Sequence, residues 1–148
     1  MSKKELIQQV VKIRCLVPAG KASPTPPIGP TLGQRGVKAI DFCRQFNERT
    51  KKYETDVPIP TIITINPDRT FTFITRLPPV SWFLKRAAGV EKGSSKPGIE
   101  IVGKVSLKHV YEIALIKSQQ DNMVDFDLRN ICKSIIGTSR SVGIEIVP

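Results

Sequence analysis

Two stretches of this 148-residue chain combine basic side chains with small ones, a combination that suits contact with a nucleic-acid backbone. The first borders a Gly-rich segment and comprises Lys85, Lys92, Ser94, Lys96 and Lys104. The second interrupts an apolar helical pattern and comprises Gly137, Thr138, Ser139, Arg140 and Ser141. A helix face without bulky side chains can approach RNA closely and offer hydroxyl groups and one guanidinium to phosphate and ribose. We therefore predict RNA binding by these residues, with an ordinary solvated surface as the alternative.

The other residues that could bind phosphate, take part in catalysis or hold a metal do not form a complete motif. The segment 98–104 matches the first seven positions of the phosphate-binding GxxxxGK[ST] loop, but Val105 offers no hydroxyl for magnesium. His109 is the only histidine and lies on a helical pattern, which indicates a partly exposed surface residue. The three cysteines are too few and too widely spaced for a disulfide framework or a zinc site: Cys15, Cys43 and Cys132. The sequence predicts no enzyme, no metal site and no cofactor.

The charge balance of the chain favours a polyanionic partner. Lysine and arginine number 23 against 13 acidic residues, which gives a net charge of +10. Nucleic acid is the first expectation and an anionic membrane the second, but no apolar run approaches the roughly 20 residues that span a bilayer. With only nine aromatic residues, a sheet that stacks single-stranded bases is disfavoured. The N-terminus lacks the continuous apolar region of a secretory signal and reads as a mature end.

The N-terminal half contains the patterns of a small α/β domain. Apolar and basic residues alternate over 10–17, which predicts a strand. Five prolines between positions 18 and 30 predict a stiff loop without helix or strand. A following helix is expected to bury Ile40, Cys43 and Phe46, and two β-rich runs around the turn-forming residues 66–69 predict a hairpin. Together these patterns indicate a domain over 1–76 with a three-stranded antiparallel sheet.

The C-terminal half reads as mostly helical. Pro78 and Pro79 break the strand pattern and place a domain boundary near residue 77. Three helical patterns follow, the first ending at Gly89 and the second capped by Ser106, and a short strand ends the chain. The fold class is therefore α+β, with two small domains at 1–76 and 77–148, the second a three-helix RNA-binding domain.

Six ordered segments are specific enough to carry a family resemblance. They are 26–36, 41–47, 67–71, 85–89, 110–114 and 136–144, with spellings such as PPIGPTLGQRG and IGTSRSVGI. On these segments, from about residue 10 to 147, the chain resembles the family of the eleventh large-subunit ribosomal protein. The resemblance implies a non-catalytic ribosomal constituent that binds the GTPase-associated region of large-subunit rRNA and supports translation factors.

The resemblance also implies roles for particular residues and partners. It assigns Lys92, Ser94 and Lys96 to an RNA-ordered loop and residues 137–141 to an RNA-facing helix. It directs the proline loop toward translational GTPases and thiopeptide antibiotics through Pro26, Pro27 and Pro30. Expected partners are large-subunit rRNA, translational GTPases and neighbouring stalk-base ribosomal proteins, with no membrane.

Two further expectations concern location and the competing function. The spellings at 80–83, 109–111 and 131–136 resemble the mitochondrial branch, which predicts a mitochondrial ribosome in the matrix; a bacterial or plastid-type ribosome is the alternative. The competing function is a basic RNA-binding adaptor that works off the ribosome. Sedimentation with large subunits after a high-salt wash separates the two, since a stable subunit stays bound.

Overall fold

The computed structural model describes residues 10–26 and 28–148. The chain divides into two compact units, Met1–Arg76 and Leu77–Pro148. Within the described residues, no helix is long and apolar enough to cross a membrane.

The first unit is built on a three-stranded antiparallel sheet. Its strands are β1 (Val11–Pro18), β2 (Pro58–Ile65) and β3 (Phe71–Thr75), in the order β1-β2-β3. Along β2 every second residue is buried, because successive side chains of a strand point to opposite faces. The predicted sheet is therefore confirmed, with its first strand displaced by one residue from the expected 10–17.

A tight turn joins β2 to β3 at the predicted position. The amide and hydroxyl of Thr70 both donate to Asp68 Oδ1, at 3.0 and 2.6 Å, and Arg69 adopts a φ of 70°. The hydroxyl of Thr70, followed by its amide, holds the pKa of Asp68 below its ordinary value because both bonds favour the carboxylate. Local hydrogen bonds thus form the turn between the two strands.

Helix α2 (Ala39–Arg49) covers one face of the sheet, with a buried side that differs from the prediction. Phe42, Cys43 and Phe46 are buried, whereas Ile40 is 70% exposed. The Phe42 ring meets the Phe73 ring of β3 edge-on at 5.3 Å between centroids, and this aromatic contact fixes the orientation of the helix. The expectation that Ile40 is buried was wrong: Ile40 and Phe42 are two residues apart and so lie on nearly opposite sides of the helix, and Phe42 is the one that enters the core.

The proline-rich segment contains a short helix that the sequence did not predict, α1 (Ile28–Gly33). Pro30 is its third residue, where the missing N–H would have no partner within the helix, so proline is tolerated. Ile28 and Leu32 lie one turn apart and are both buried. The expectation of a loop without helix was therefore wrong, since two apolar residues at helical spacing outweigh a proline confined to the first turn.

The second unit contains the three predicted helices: α3 (Val80–Ala88), α4 (Leu107–Ser118) and α5 (Leu128–Val142). Gly89 ends α3 in the left-handed conformation, and the Ser106 hydroxyl caps α4 by accepting from the His109 amide. The centre of the core is formed by Leu84, Val105, Val110, Ile113, Ala114, Ile131, Ile135 and Ile144.

Two short strands complete this unit and pair in parallel, β4 (Gly103–Ser106) and β5 (Ile144–Val147). The sequence predicts the closing strand β5 but not β4, whose residues it places at the end of a loop. In the structure Gly103 pairs with Ile144 and Ser106 with Val147. This pairing ties the segment between α3 and α4 to the end of the chain.

Candidate nucleic-acid interface

Helix α5 separates an apolar side from a basic and small-residue side. Ile131 and Ile135 enter the core, while Arg129, Lys133 and Gly137 are exposed at intervals of four residues. Residues four apart lie on the same face of a helix. The outward face therefore carries two cations followed by a position without a side chain.

Gly137 lies on the open surface of this helix. A Cβ built on it would meet nothing within 4 Å, apart from the helix's own neighbouring backbone. Packing within the protein therefore does not require glycine at this position. A surface without a side chain lets another molecule's backbone come close, as the sequence predicts for this position.

Near the end of α5, two hydroxyl groups that the sequence predicts as donors to RNA donate instead to carbonyls of the helix itself. Thr138 donates to the Ser134 carbonyl at 3.0 Å, and Ser141 donates to the Thr138 carbonyl at 2.7 Å. Their oxygens remain available as acceptors, which ribose 2′-hydroxyl groups can use. These two side chains therefore favour ribose over phosphate.

Ser139 does not belong to the RNA-facing surface. Its side chain is completely buried, and its hydroxyl donates to the Ile136 carbonyl at 2.6 Å. Position 139 follows Ile135 by four residues and so lies on the core side of α5. The expectation that Ser139 faces RNA was therefore wrong, whereas its neighbour Arg140 is exposed on the surface.

The lysine-bearing loop is fastened to the C-terminal end of α5. The Ser94 amide donates to the Val142 carbonyl at 2.8 Å, and the Val102 amide donates to the Gly143 carbonyl at 2.8 Å. Gly143 has a φ of 83°, and a Cβ there would overlap the Cβ of Ser94. The two predicted RNA-binding stretches are separated by about 40 residues of sequence, and these hydrogen bonds bring them together in the structure.

Within this loop the predicted residues have distinct surroundings. Lys92 and Lys96 are exposed, and Ser94 is half-buried. The Ser94 hydroxyl accepts from the Lys96 amide at 3.0 Å, which bends the loop locally. Ser94 thus has a structural role in shaping the loop, while the two lysines supply the accessible charge.

The remaining two predicted lysines lie on regular elements that flank the loop. Lys85 is half-buried on α3, and its carbonyl accepts from the Val90 amide at 3.0 Å. Lys104 lies on β4 and forms an exposed ion pair with Glu145 of β5, 3.5 Å between Nζ and Oε2. An exposed pair of this kind contributes about 0–1 kcal/mol, so Lys104 can exchange its partner for a phosphate at little cost.

Two basic residues of the candidate surface were missed by the sequence reasoning, Arg129 and Lys133. Counting back from Gly137 in steps of four would have found them, since the helical pattern itself is evident from the sequence. No group of histidine, cysteine or acidic side chains suited to a metal ion occurs among the described residues.

The proline loop of the first unit lines a separate, open cavity of about 740 Å³. Its wall includes Pro24, Pro26 and Pro30 on one side and the exposed Ile40 on the other. Gly29 is required here because a Cβ would overlap the Pro24 carbonyl oxygen. Of the three predicted factor-facing prolines, Pro26 and Pro30 are exposed and Pro27 lies outside the described residues.

Two side chains at the end of α2 fasten this loop. The Ala22 amide donates to Asn47 Oδ1 at 2.9 Å, and Asn47 Nδ2 donates back to the Ala22 carbonyl at 3.2 Å. The Gly20 amide donates to the Thr50 hydroxyl at 3.1 Å, one turn further along. The loop is thus held at its start by α2 while its prolines remain on the surface.

Comparison with known proteins matches both units of the chain to one family. Residues 76–146 match the family model described as ribosomal protein L11, RNA binding domain, and residues 13–71 match ribosomal protein L11, N-terminal domain. Large ribosomal subunit protein uL11m of Schizosaccharomyces pombe is 52% identical over 136 residues, which cover 92% of this chain and 94% of the relative. The predicted resemblance, including its mitochondrial spelling and its lack of enzymatic activity, is confirmed. The chain therefore belongs to the ribosomal protein L11 family, as a mitochondrial-type, rRNA-binding member of the large subunit.

Proposed function

We propose that the second unit holds the GTPase-associated region of large-subunit rRNA between the outward face of α5 and the loop at 92–96, while the proline loop of the first unit faces translation factors. Homology to uL11m indicates that the protein works in a mitochondrial ribosome. It therefore favours this role over that of an RNA-binding adaptor that works off the ribosome. The observation that carries the RNA part is the pair of backbone hydrogen bonds fastening the lysine loop to the end of α5.

The surface formed in this way has the properties that shape-selective RNA binding requires. Lys92, Lys96 and Arg140 are exposed cations that can neutralise phosphates. Gly137 leaves room for a sugar-phosphate backbone, and Thr138 presents an acceptor to ribose hydroxyls. Recognition by backbone geometry and 2′-hydroxyl groups is how proteins distinguish folded RNA without reading bases in its deep, narrow groove.

Salt-dependent binding of the full chain to a transcript of this rRNA region tests the proposal. Changing Lys92 and Lys96 together to alanine should weaken binding and lower the salt slope by about one unit for each phosphate that is no longer neutralised. Lys51→Ala with Lys52→Ala removes the same charge from an exposed segment of the first unit and serves as the control. An unchanged slope in the loop variant, or an equal reduction in both variants, would assign the loop to solvent.

The factor-facing role rests on the exposed prolines and on the scarcity of charge beside them. Prolines restrict the loop before binding, so a partner that docks there loses little further entropy. Lys21 is the only basic residue between positions 18 and 30, and it pairs with Asp56 at 2.6 Å. The loop can therefore contribute little to phosphate binding through counterion release.

Replacing Pro26 and Pro30 with serine tests this second role. We expect rRNA affinity to stay within about threefold, which is less than 1 kcal/mol, while factor-dependent GTP hydrolysis on reconstituted large subunits falls. Thiopeptide sensitivity should change in the same variant. Normal folding with an unchanged factor response would contradict the role, and melting of the first unit at a much lower temperature would instead show that these prolines only shape the domain.

A further inference from the structure

The outer edge of strand β1 presents backbone groups that no other element described in the first unit takes up. The Ala19 amide donates to the Val57 carbonyl at 2.9 Å, and these residues continue the β1–β2 register. In an antiparallel pair, residues alternate between bonding to the partner and pointing away from it. The odd-numbered residues of β1 therefore bond to β2, and the amides and carbonyls of Lys12, Arg14 and Leu16 point outward.

At the opposite edge of the sheet, a side chain takes up an outward-facing backbone group. In β3 the same alternation directs the Phe73 carbonyl outward, and there it accepts from the Arg49 guanidinium at 2.9 Å. Arg49 also lies over the Phe73 ring, 4.2 Å from its centroid. β3 spans five residues and β1 eight, so the longer edge is the one left open among the described residues.

The core is also incompletely covered beside this open edge. Val11, Ile13 and Cys15 are only half-buried, although the residues that they face across the ladder, Ile65, Ile63 and Thr61, are buried. Next to them is a cavity of about 330 Å³, lined mainly by Ile13, Cys15, Ile28, Leu32 and Ile63. Apolar side chains supplied from outside the sheet would fill this space.

The charges on the strand indicate which kind of segment fits. Lys12 and Arg14 are exposed and alternate with the core residues, and β1 carries no acidic side chain. Directly opposed like charges disfavour cross-strand pairing, so a second copy of β1 is repelled, whereas acidic side chains opposite these cations are favoured. Leu16, 56% exposed on the same face, offers an apolar contact.

We propose that β1 receives an extended segment of another protein as a fourth strand of this sheet, in which apolar side chains that enter the cavity beside Cys15 alternate with acidic side chains opposite Lys12 and Arg14. Main-chain hydrogen bonds along an exposed edge supply affinity in this mode of recognition, and the alternate side chains supply specificity. The surface lies in the first unit and does not use the residues proposed to bind rRNA. It therefore adds a protein contact to the rRNA contact.

Photo-crosslinking within assembled large subunits tests this proposal. The full chain is made with photo-leucine at position 16, incorporated into large subunits that lack the protein, illuminated and digested, and the crosslinked residues are identified by mass spectrometry. We expect one protein segment with alternating apolar and acidic residues. Crosslinks to rRNA, crosslinks to residues 1–9 of the same chain, or no crosslink at all would each overturn the proposal.

Two variants show whether the backbone edge itself is used. Arg14→Pro removes an outward amide but no amide that bonds to β2, while Arg14→Ala removes the same charge and keeps the amide. With equal incorporation, crosslinking in the proline variant should fall about fivefold below that in the alanine variant, about 1 kcal/mol for one hydrogen bond. Equal yields in the two variants would refute strand addition.

If the Arg14→Pro variant does not fold, a variant with reversed charges on β1 still tests the proposal. Lys12→Glu with Arg14→Glu changes only exposed side chains and should lower crosslinking at least as strongly. Lys51→Glu with Lys52→Glu alters the net charge equally at another exposed segment of the same unit and should leave crosslinking unchanged. An equal reduction in both double variants would show a general charge effect and contradict the proposed pairing.

Discussion

Gly137 is expected to be unfavourable for folding and favourable for RNA binding, and the two effects can be separated. It lies within α5 at an exposed position where a Cβ meets no atom within 4 Å outside the helix's own backbone. Alanine is better than glycine in a helix by about 0.5–1 kcal/mol. At about 4–8 °C per kcal/mol for a domain of this size, Gly137→Ala should raise the melting temperature of the second unit by about 2–8 °C.

The same position should become less favourable for RNA as its side chain grows. Inserting a bulky group into a close contact typically costs about 1–3 kcal/mol, so Gly137→Leu should weaken binding to the rRNA transcript by about fivefold or more. No charge is removed, and the salt slope should therefore stay unchanged. Gln119→Leu adds the same side chain at an exposed, uncharged position at the end of α4 and should leave affinity unaltered.

Thermal melting and salt-dependent binding of the full-length variants check both effects. A Gly137→Leu variant that binds as tightly as the parent would refute close approach of RNA to this face. A weaker salt dependence would refute the steric explanation, since it would show that fewer phosphates are neutralised in the variant complex. A lower melting temperature for Gly137→Ala would show that the helix at this point is not a regular, open surface.

Three further predictions concern other interactions of the two units. Arg129→Ala and Lys133→Ala should each lower the salt slope of rRNA binding by about one unit, and an unchanged slope would remove that residue from the interface. Lys104→Ala should change the free energy of unfolding by less than about 1 kcal/mol in a denaturant titration, because its pair with Glu145 is exposed. Asn47→Ala should destabilise the first unit by about 1–3 kcal/mol because it removes two hydrogen bonds, while rRNA affinity stays within about threefold.

The elements that the sequence predicted well are those with a strong local signal. Alternation of apolar and basic residues predicted β1, and the spacing of Ile131 and Ile135 predicted the buried side of α5. The same spacing extended by one turn places Ser139 in the core, whereas the run of small, hydrogen-bonding residues around it favoured a surface position. In this case the position along the helix determines burial more strongly than the residue type.

The elements that escaped prediction depend on interactions between residues distant in sequence. β4 has four residues, of which only Val105 is buried, and it forms by pairing with β5 about 40 residues later. Parallel pairing over such a separation leaves no local pattern. The hydrogen bond from Ser94 to Val142 likewise joins residues far apart in the sequence, so the proximity of the two stretches proposed to bind RNA could not be derived from residue spacing.

Helix α5 connects the core of the second unit to the surface proposed to bind rRNA. The inward residues of α5 pack in the core and so fix the position of the helix. The outward positions Arg129, Lys133 and Gly137 therefore have a defined geometry before any ligand binds. Immediately after the helix, Gly143 takes the left-handed conformation, which lets the chain turn into β5 and leaves space for Ser94. A side chain at that glycine would displace the loop, so the positions of its lysines depend on how the helix ends. In the role proposed above, rigid placement of a few cations beside one bare backbone surface would serve recognition of a folded RNA by its shape, which does not require aromatic side chains.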